Sequence, residues 1–177
     1  MSYKAICFDA DGMIIKPGEN FSDRLAKEKG IELTGMKPFF QGPFQKLKRG
    51  KGNLKDELEL VMKDWGWEGT ADELIVYWMS GDVVIKSLIE QLKKADVACY
   101  LTTNNEAVRG DYLRDGLGFG ELFDHLFVSG KLGHAKPDKE YFELVWKHAQ
   151  EDGATAKNDV LFCDDELEII EEARAFG

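Results

Sequence analysis

Short apolar runs rich in β-forming residues occur at four places in the chain, and each run predicts a strand. They span Lys4 to Asp9, Val97 to Thr102, His125 to Ser129, and Asp159 to Asp164. Apolar residues at helical spacing follow Asp82, which we expect to cap the helix, and the same spacing follows Asp138. Continuously apolar strands that alternate with one-sided helices predict an α/β fold with a parallel sheet covered by helices on both faces.

The stretch from Pro17 to Gly81 interrupts this alternation, because it contains helical patterns and turns but no convincing strand. Asn53 is a good residue to begin one helix, and Thr70 with Glu73 has the spacing of a capping box for another. We therefore predict an inserted helical cap at 17–81 and a core made of 1–16 and 82–177.

The composition favours a globular protein of the cytoplasm. The 177 residues are 44% hydrophobic and 32% charged, and no apolar stretch approaches the roughly 20 residues that a membrane span needs. A first strand at about Tyr3 leaves no room for a secretion signal, and three cysteines inside predicted strands suit a reducing compartment. The net charge of -10 argues against a nucleic-acid partner. We expect no membrane partner and a monomer or weak homodimer.

Polar residues follow each predicted strand, at the edge where the ends of parallel strands meet and ligands bind. These residues are Asp9 and Asp11, then Thr103 and Asn104, then Lys136, then Asp164 and Asp165. Each also has a plain structural interpretation. The first two aspartates are also typical turn formers before Gly12, Asn104 and Asp165 are also suited to cap helices, and Lys136 alone resembles a solvated surface charge.

Together these residues resemble the four motifs of the haloacid dehalogenase-like hydrolase superfamily, in order and over nearly the whole chain. The resemblance implies a three-layer Rossmann-like core with a small helical cap inserted after the first motif. It also implies that Asp9 is a nucleophile, that Asp11 is the general acid and base, and that Thr103, Asn104 and Lys136 bind phosphate. Asp9, Asp11, Asp164 and Asp165 would hold Mg²⁺, a cation that prefers oxygen ligands.

Electrostatics supports a cation at this edge. Two like charges about 4 Å apart repel by roughly 1 to 4 kcal/mol between water-like and near-surface dielectrics, and four carboxylates form several such pairs. We therefore expect Mg²⁺ and Lys136 to offset them. A helix that begins near Asn105 is expected to add free backbone N–H groups as an anion site.

The predicted function is Mg²⁺-dependent hydrolysis of a small phosphorylated metabolite, such as a sugar phosphate or nucleoside monophosphate. Asp11 disfavours dehalogenation, because the dehalogenating relatives carry tyrosine there. A phosphomutase and a catalytically impaired binding or regulatory homologue stay open as alternatives. The last is motivated by Ile169, where the superfamily often has asparagine, and by the absence of a final sheet strand after the last predicted helix. A basic, aromatic stretch from Lys37 to Gly52 belongs to the cap, either as a substrate-facing loop or as a solvated one.

Overall fold

The computed structural model describes residues 3–17 and 19–177. Its strands are β1 (Ala5–Phe8), β2 (Ile15–Pro17), β3 (Asp82–Val84), β4 (Ala98–Thr103), β5 (His125–Val128) and β6 (Val160–Cys163). Its α-helices are α1 (Phe21–Lys29), α2 (Lys37–Gln41), α3 (Pro43–Leu47), α4 (Leu54–Val61), α5 (Ala71–Met79), α6 (Lys86–Leu92), α7 (Ala107–Asp111), α8 (Phe119–Leu122), α9 (Ser129–Leu132), α10 (Lys139–Glu151) and α11 (Leu167–Phe176). A π-helical turn at Tyr112–Gly116 continues α7.

Four strands form one parallel sheet in the order β5-β4-β1-β6. Phe8 lies opposite Leu101 on one side and Cys163 on the other, so the ends of β1, β4 and β6 share one edge. The four strands predicted from the sequence are therefore confirmed, with boundaries shifted by a residue or two. Within the described residues β6 has one neighbour in the sheet, and this leaves a sheet edge as expected.

Helices cover both faces of this sheet, which confirms the predicted three-layer α/β fold. Alternate residues of β4 point to opposite faces. Tyr100 packs in a cluster with Tyr141 of α10 and Ile169 of α11, whereas Leu101 packs on the other face with Phe119. Ile169 is only 3% exposed. The position at which the chain departs from the superfamily pattern that it resembles therefore belongs to the core.

The helices between β2 and β3 enclose a second hydrophobic cluster of their own, rich in aromatic rings. Phe39 packs edge-on against Trp65, with the ring centroids 5.2 Å apart. Asn53 caps α4 by accepting a hydrogen bond from the Lys55 backbone N–H, and Thr70 forms the predicted capping box with α5. The aromatic residues of the basic stretch are thus packed inside the cap. The boundaries proposed for cap and core stay a prediction.

One predicted cap is wrong. Asp82 begins the short strand β3, which pairs antiparallel with β2, and α6 starts only at Lys86 with Ile85 at its N-cap position. The sequence did not indicate this ribbon, because each strand has three residues and no alternating pattern of its own. None of the helices in the described part of the chain is long and apolar enough to span a membrane.

His125 and His148 lie side by side at the far end of the sheet, with their ring centroids 4.0 Å apart. Burial and the neighbouring His148 both lower the pKa of His125. The unfolded chain therefore binds a proton at His125 more readily than the folded protein does. The stability that His125 contributes is present above the ordinary histidine pKa of about 6.5 and is lost as the pH falls.

We expect the free energy of unfolding to decline between pH 7 and pH 5, and to decline less in His125→Gln. Urea denaturation at both pH values measures this difference. His134→Gln is the matched control, since His134 lies outside the pair. An equal decline in His125→Gln and the wild type would contradict the expectation.

Candidate active site

Lys136 lies at the centre of the predicted site and is only 3% exposed. Its ammonium donates to Asp9 Oδ1 at 2.7 Å, to the Thr102 carbonyl at 2.9 Å and to Asp164 Oδ2 at 2.6 Å. An ammonium has three N–H donors, so each donor has a partner. These acceptors come from β4 and from the first residues after β1 and β6. Lys136 is therefore a buried connector of three strands, and the surface-charge interpretation is wrong.

Asn104 fixes the backbone of Lys136. Its side-chain amide donates to the Lys136 carbonyl at 2.7 Å and accepts from the Lys136 N–H at 2.8 Å. Asn104 is not a helix cap, since α7 begins three residues later. Its side chain acts here as a support for Lys136, and the phosphate contact predicted for Asn104 stays a prediction.

Asp9 is a buried carboxyl in a crowded electrostatic environment. Burial is the main reason why its pKa is raised to about 7, and the nearby carboxylates of Asp164 and Asp11 add to the rise. The Lys136 ammonium acts in the opposite direction and limits it. The charged form of Asp9 is thus costly in the protein alone, as the sequence analysis expected for clustered carboxylates.

Gly12 makes room for Asp165. The glycine has a φ of +94°, and a Cβ at this position would lie 2.2 Å from Asp165 Oδ2. A larger residue is thus excluded by both space and backbone conformation. Asp165 makes no side-chain capping bond to α11, which begins at Leu167. Its carboxylate lies instead against the turn that follows Asp11, and the capping interpretation of Asp165 is wrong.

Two residues that the sequence analysis missed hold the Asp11 carboxylate. Arg109 Nη2 donates to Oδ1 at 2.8 Å, and Asn105 Nδ2 donates to Oδ2 at 2.7 Å. The same Asn105 amide donates to the Thr103 hydroxyl at 2.7 Å. A basic residue in the helix directly after the second motif was the available signal for Arg109. Its partners are distant in sequence, so the pattern did not reveal them.

Two of the backbone N–H groups expected to form an anion site at the start of a helix near Asn105 are already occupied, and the anion site itself stays a prediction. The helix begins at Ala107, and the Glu106 carboxylate accepts hydrogen bonds from the backbone N–H groups of Val108 and Arg109 at 2.6 Å each. Those donors are therefore already occupied by an internal carboxylate.

The residues at this edge fit a magnesium ion by their chemistry. Asp9, Asp164 and Asp165 supply carboxylate oxygens and Asp11 a backbone carbonyl, all hard donors of the kind that Mg²⁺ prefers. Neither Asp9 Oδ2 nor the Asp11 carbonyl accepts a hydrogen bond from the described residues. In the same part of the chain, no three His, Cys, Asp or Glu side chains are already grouped as metal ligands. The ligand set predicted from the sequence stays a prediction.

A cavity of about 380 Å³ opens beside Asp11 between the sheet edge and the cap helices. Its polar wall includes Asp11, Asn105, Arg109 and Asp165. The cavity is also lined by five apolar side chains from the cap, Phe21, Phe44, Leu54, Trp78 and Met79, together with Glu19 and Asn20. The cavity thus combines charged groups with a hydrophobic lining.

The end of the basic stretch, Lys37 to Gly52, also contacts the core. Arg49, just after α3, forms a two-point ion pair with Asp138, which precedes α10. The next residue, Gly50, lies so close to the Gly130 carbonyl that a Cβ there would be 2.8 Å from its oxygen. Lys48 is half-buried near the Phe44 ring, 5.9 Å from its centroid. Arg49 therefore attaches the cap to the core.

Comparison with curated proteins finds two fungal relatives. The sesquiterpene phosphatase astK of Aspergillus oryzae is 36% identical over 96 residues, which are 54% of this chain and 47% of that protein. The drimenol cyclase drtB of Aspergillus calidoustus is 43% identical over 56 residues, 32% of this chain and 10% of that protein. The matched regions thus cover less than half of either relative.

Comparison with solved structures and family models agrees with the predicted superfamily. The HAD family enzyme bt-2542 from Bacteroides thetaiotaomicron superimposes with a TM-score of 0.82 at 18% identity, over 100% of this chain and 91% of that protein. It has also been solved in complex with magnesium and inorganic phosphate. A family model for haloacid dehalogenase-like hydrolases matches residues 3–177. This chain therefore belongs to the haloacid dehalogenase-like hydrolases.

Proposed function

We propose that this protein is a Mg²⁺-dependent phosphomonoesterase that works through an aspartyl-phosphate at Asp9. The main observation in support of this function is that the Lys136 ammonium holds Asp9 and Asp164 together at the end of the sheet. The names of relatives give independent support, because one is a sesquiterpene phosphatase and another was solved with magnesium and inorganic phosphate.

The reaction has two steps. An Asp9 carboxylate oxygen attacks phosphorus, the bond from phosphorus to the alcohol oxygen breaks, and Asp11 gives a proton to the departing alkoxide. Water then attacks the aspartyl-phosphate, Asp11 takes its proton, and inorganic phosphate leaves with Asp9 restored.

The other residues of the site would offset the negative charge of the substrate and of the carboxylates. Lys136 orients Asp9 and opposes the rise in its pKa, and it reduces the repulsion between this carboxylate and an anionic substrate. Bound Mg²⁺, held by Asp9, the Asp11 carbonyl, Asp164 and Asp165, would supply the positive charge that neutralises phosphate oxygens. The Thr103 hydroxyl, kept in place by Asn105, is directed to the same edge and would contact the phosphate.

We propose further that the substrate is the phosphate ester of an apolar alcohol rather than of a sugar. The cavity beside Asp11 is also lined by Phe44 and Trp78, two partly exposed aromatic side chains that offer hydrophobic surface to a leaving group. A second groove of about 320 Å³ along β6 is also apolar, but no Asp or Glu side chain lines it in the described part of the chain. The cavity beside Asp11 is therefore the one that places an apolar tail next to the reacting groups. The sesquiterpene phosphatase relative agrees with this class of substrate.

We expect Asp9→Asn to lower phosphate release from an alkyl phosphate by at least about 1,000-fold, because the amide is not a nucleophile. Colorimetric detection of phosphate with Mg²⁺, and again with EDTA, measures both this loss and the metal requirement. Asp96→Asn, an exposed change before β4 at the opposite sheet edge, is the control. Unchanged release in Asp9→Asn, or full activity in EDTA, would reject the proposal, and an isomerised ester without free phosphate would indicate a mutase.

The same variant is expected to stabilise the metal-free protein. The folded-state pKa of Asp9 is about 7, above its ordinary value of 3.8, so the stability that its neutral form contributes is lost as the pH rises between these values. Asparagine never ionises. The melting temperature of Asp9→Asn should therefore exceed that of the wild type at pH 8 in EDTA by a few degrees, with a smaller excess at pH 5. Equal melting temperatures at both pH values would show that Asp9 carries no such cost.

The hydrophobic lining of the cavity predicts a dependence on the length of the alcohol. Across linear alkyl phosphates from ethyl to dodecyl, kcat/KM should rise with chain length as more apolar surface is buried. Trp78→Ala should reduce kcat/KM by at least about tenfold for dodecyl phosphate and by much less for ethyl phosphate. Trp146→Ala, in the groove along β6, is the matched control. A flat dependence on length in the wild type would refute an apolar substrate while leaving phosphatase activity intact.

A further inference from the structure

Arg109 joins two carboxylates from different parts of the molecule. One of its nitrogens, Nη2, donates to Asp11 Oδ1 at 2.8 Å and to Asp82 Oδ1 at 3.1 Å, and Nη1 donates to Asp82 Oδ2. The Arg109 side chain is 10% exposed and that of Asp82 is 14% exposed. The Arg109–Asp82 pair is therefore shielded from water and is stronger than a surface pair, whereas the Asp11 side chain, at the end of the network, is 48% exposed.

Asp82 connects this network to the cap. Asp82 is the first residue of β3, where the chain returns from the cap helices, and it pairs with β2, where the chain leaves the core. Asp11 lies four residues before β2. Arg109 is thus bonded to the strand that leads back from the cap and also to the carboxylate assigned as general acid.

Arg109 is itself firmly held by the core. The Glu106 carboxylate accepts from its backbone N–H, and the Asn105 carbonyl accepts hydrogen bonds from Gly130 and Ser129. The guanidinium also lies 5.7 Å from the ring centroid of Tyr112, a residue that packs against the cap cluster. A displacement of β3 therefore acts directly on the Arg109 side chain and on the two carboxylates that it holds.

We propose that Arg109 is a positioning residue that couples the placement of the cap to the orientation of the Asp11 carboxyl. This inference rests on the proposed function, in which Asp11 protonates the leaving alkoxide. While Asp82 holds the guanidinium, Oδ1 of Asp11 is held at a fixed place at the cavity wall. When that ion pair is lost, Asp11 keeps its side chain but loses its orientation towards the leaving oxygen.

The choice of leaving group separates this role from a merely structural one. An alkoxide needs a proton as it departs, whereas p-nitrophenolate leaves readily without one. The value of kcat/KM depends only on the steps up to the first irreversible one, which here is departure of the alcohol. The ratio of kcat/KM for hexyl phosphate to kcat/KM for p-nitrophenyl phosphate therefore reports on Asp11 as the acid in that step. We expect Arg109→Gln and Asp82→Asn each to lower this ratio at least tenfold.

Arg49→Gln is the matched control, because it removes the other ion pair between cap and core without contact to Asp11. It should change both esters by the same factor, and so leave the ratio unchanged. A ratio that is equal in all four proteins would overturn the inference. Should Arg109→Gln fail to fold, Asp82→Asn alone decides, because it leaves every donor of Asp11 in place.

A wild-type protein without activity on either ester would reject the proposed function. The coupling between Asp11 and Asp82 is then tested by its effect on the free energy of unfolding. In a double-mutant cycle of urea unfolding, Asp11→Asn and Asp82→Asn should deviate from additivity by at least fivefold in the unfolding constant. Additive effects would overturn the coupling, whether or not the enzyme is active.

Discussion

The Lys136 ammonium is the contact on which the rest of the site depends, since it attaches to the ends of β1, β4 and β6 at once. Each of its three donors meets an acceptor, and two of those acceptors belong to carboxylates that would otherwise repel each other. Loss of the Lys136 ammonium would leave these carboxylates without their cation, and removing one partner of a buried ion pair in this way costs about 3 to 5 kcal/mol. The sheet edge and the chemistry at it therefore depend on the same residue.

A charge count explains why this edge is suited to a divalent cation. Five carboxylates, those of Asp9, Asp11, Asp82, Asp164 and Asp165, lie with two cations, Lys136 and Arg109. Proton uptake can relieve part of this excess, because burial above all, and then the nearby carboxylates, raise the pKa of Asp9 to about 7. An ion bound among oxygen donors relieves it in a second way and makes the same surface receptive to a phosphate.

Those parts of the fold that repeat a local pattern were predictable from the sequence. The strands, α10, the capped helices of the cap and the convergence of four motifs all follow from spacing and from the geometry of parallel sheets. The parts that failed depend on single long-range partners. Asp82 looks like a helix cap because it precedes an apolar helix, yet its carboxylate is taken by Arg109, 27 residues away. Glu106 occupies two of the backbone N–H groups at the helix start that the sequence left open for an anion.

Spacing shows which residues reach the sheet edge but not which ones hold each other there. The roles of Asn104 and Asn105 illustrate the difference, because the two side chains are adjacent and identical. One fixes the backbone of Lys136, and the other fixes Asp11 and Thr103. Successive side chains in an extended segment point in opposite directions. Only the placement of the neighbouring loops decides which direction meets which partner.

The insertion point of the cap has a mechanical consequence. The cap helices follow β2, which begins four residues after Asp11, and the chain returns from them at Asp82, beside the arginine that holds the Asp11 carboxylate. Any change in the angle of the ribbon β2–β3 therefore acts on Asp11 from both sides, through the chain itself and through Arg109. Asp9 is separated from this movement, because it lies next to β1 and is held by Lys136 from the core. The fold thus keeps Asp9, the proposed nucleophile, at the end of a core strand, and it places Asp11, the proposed acid, beside the strands that connect cap and core.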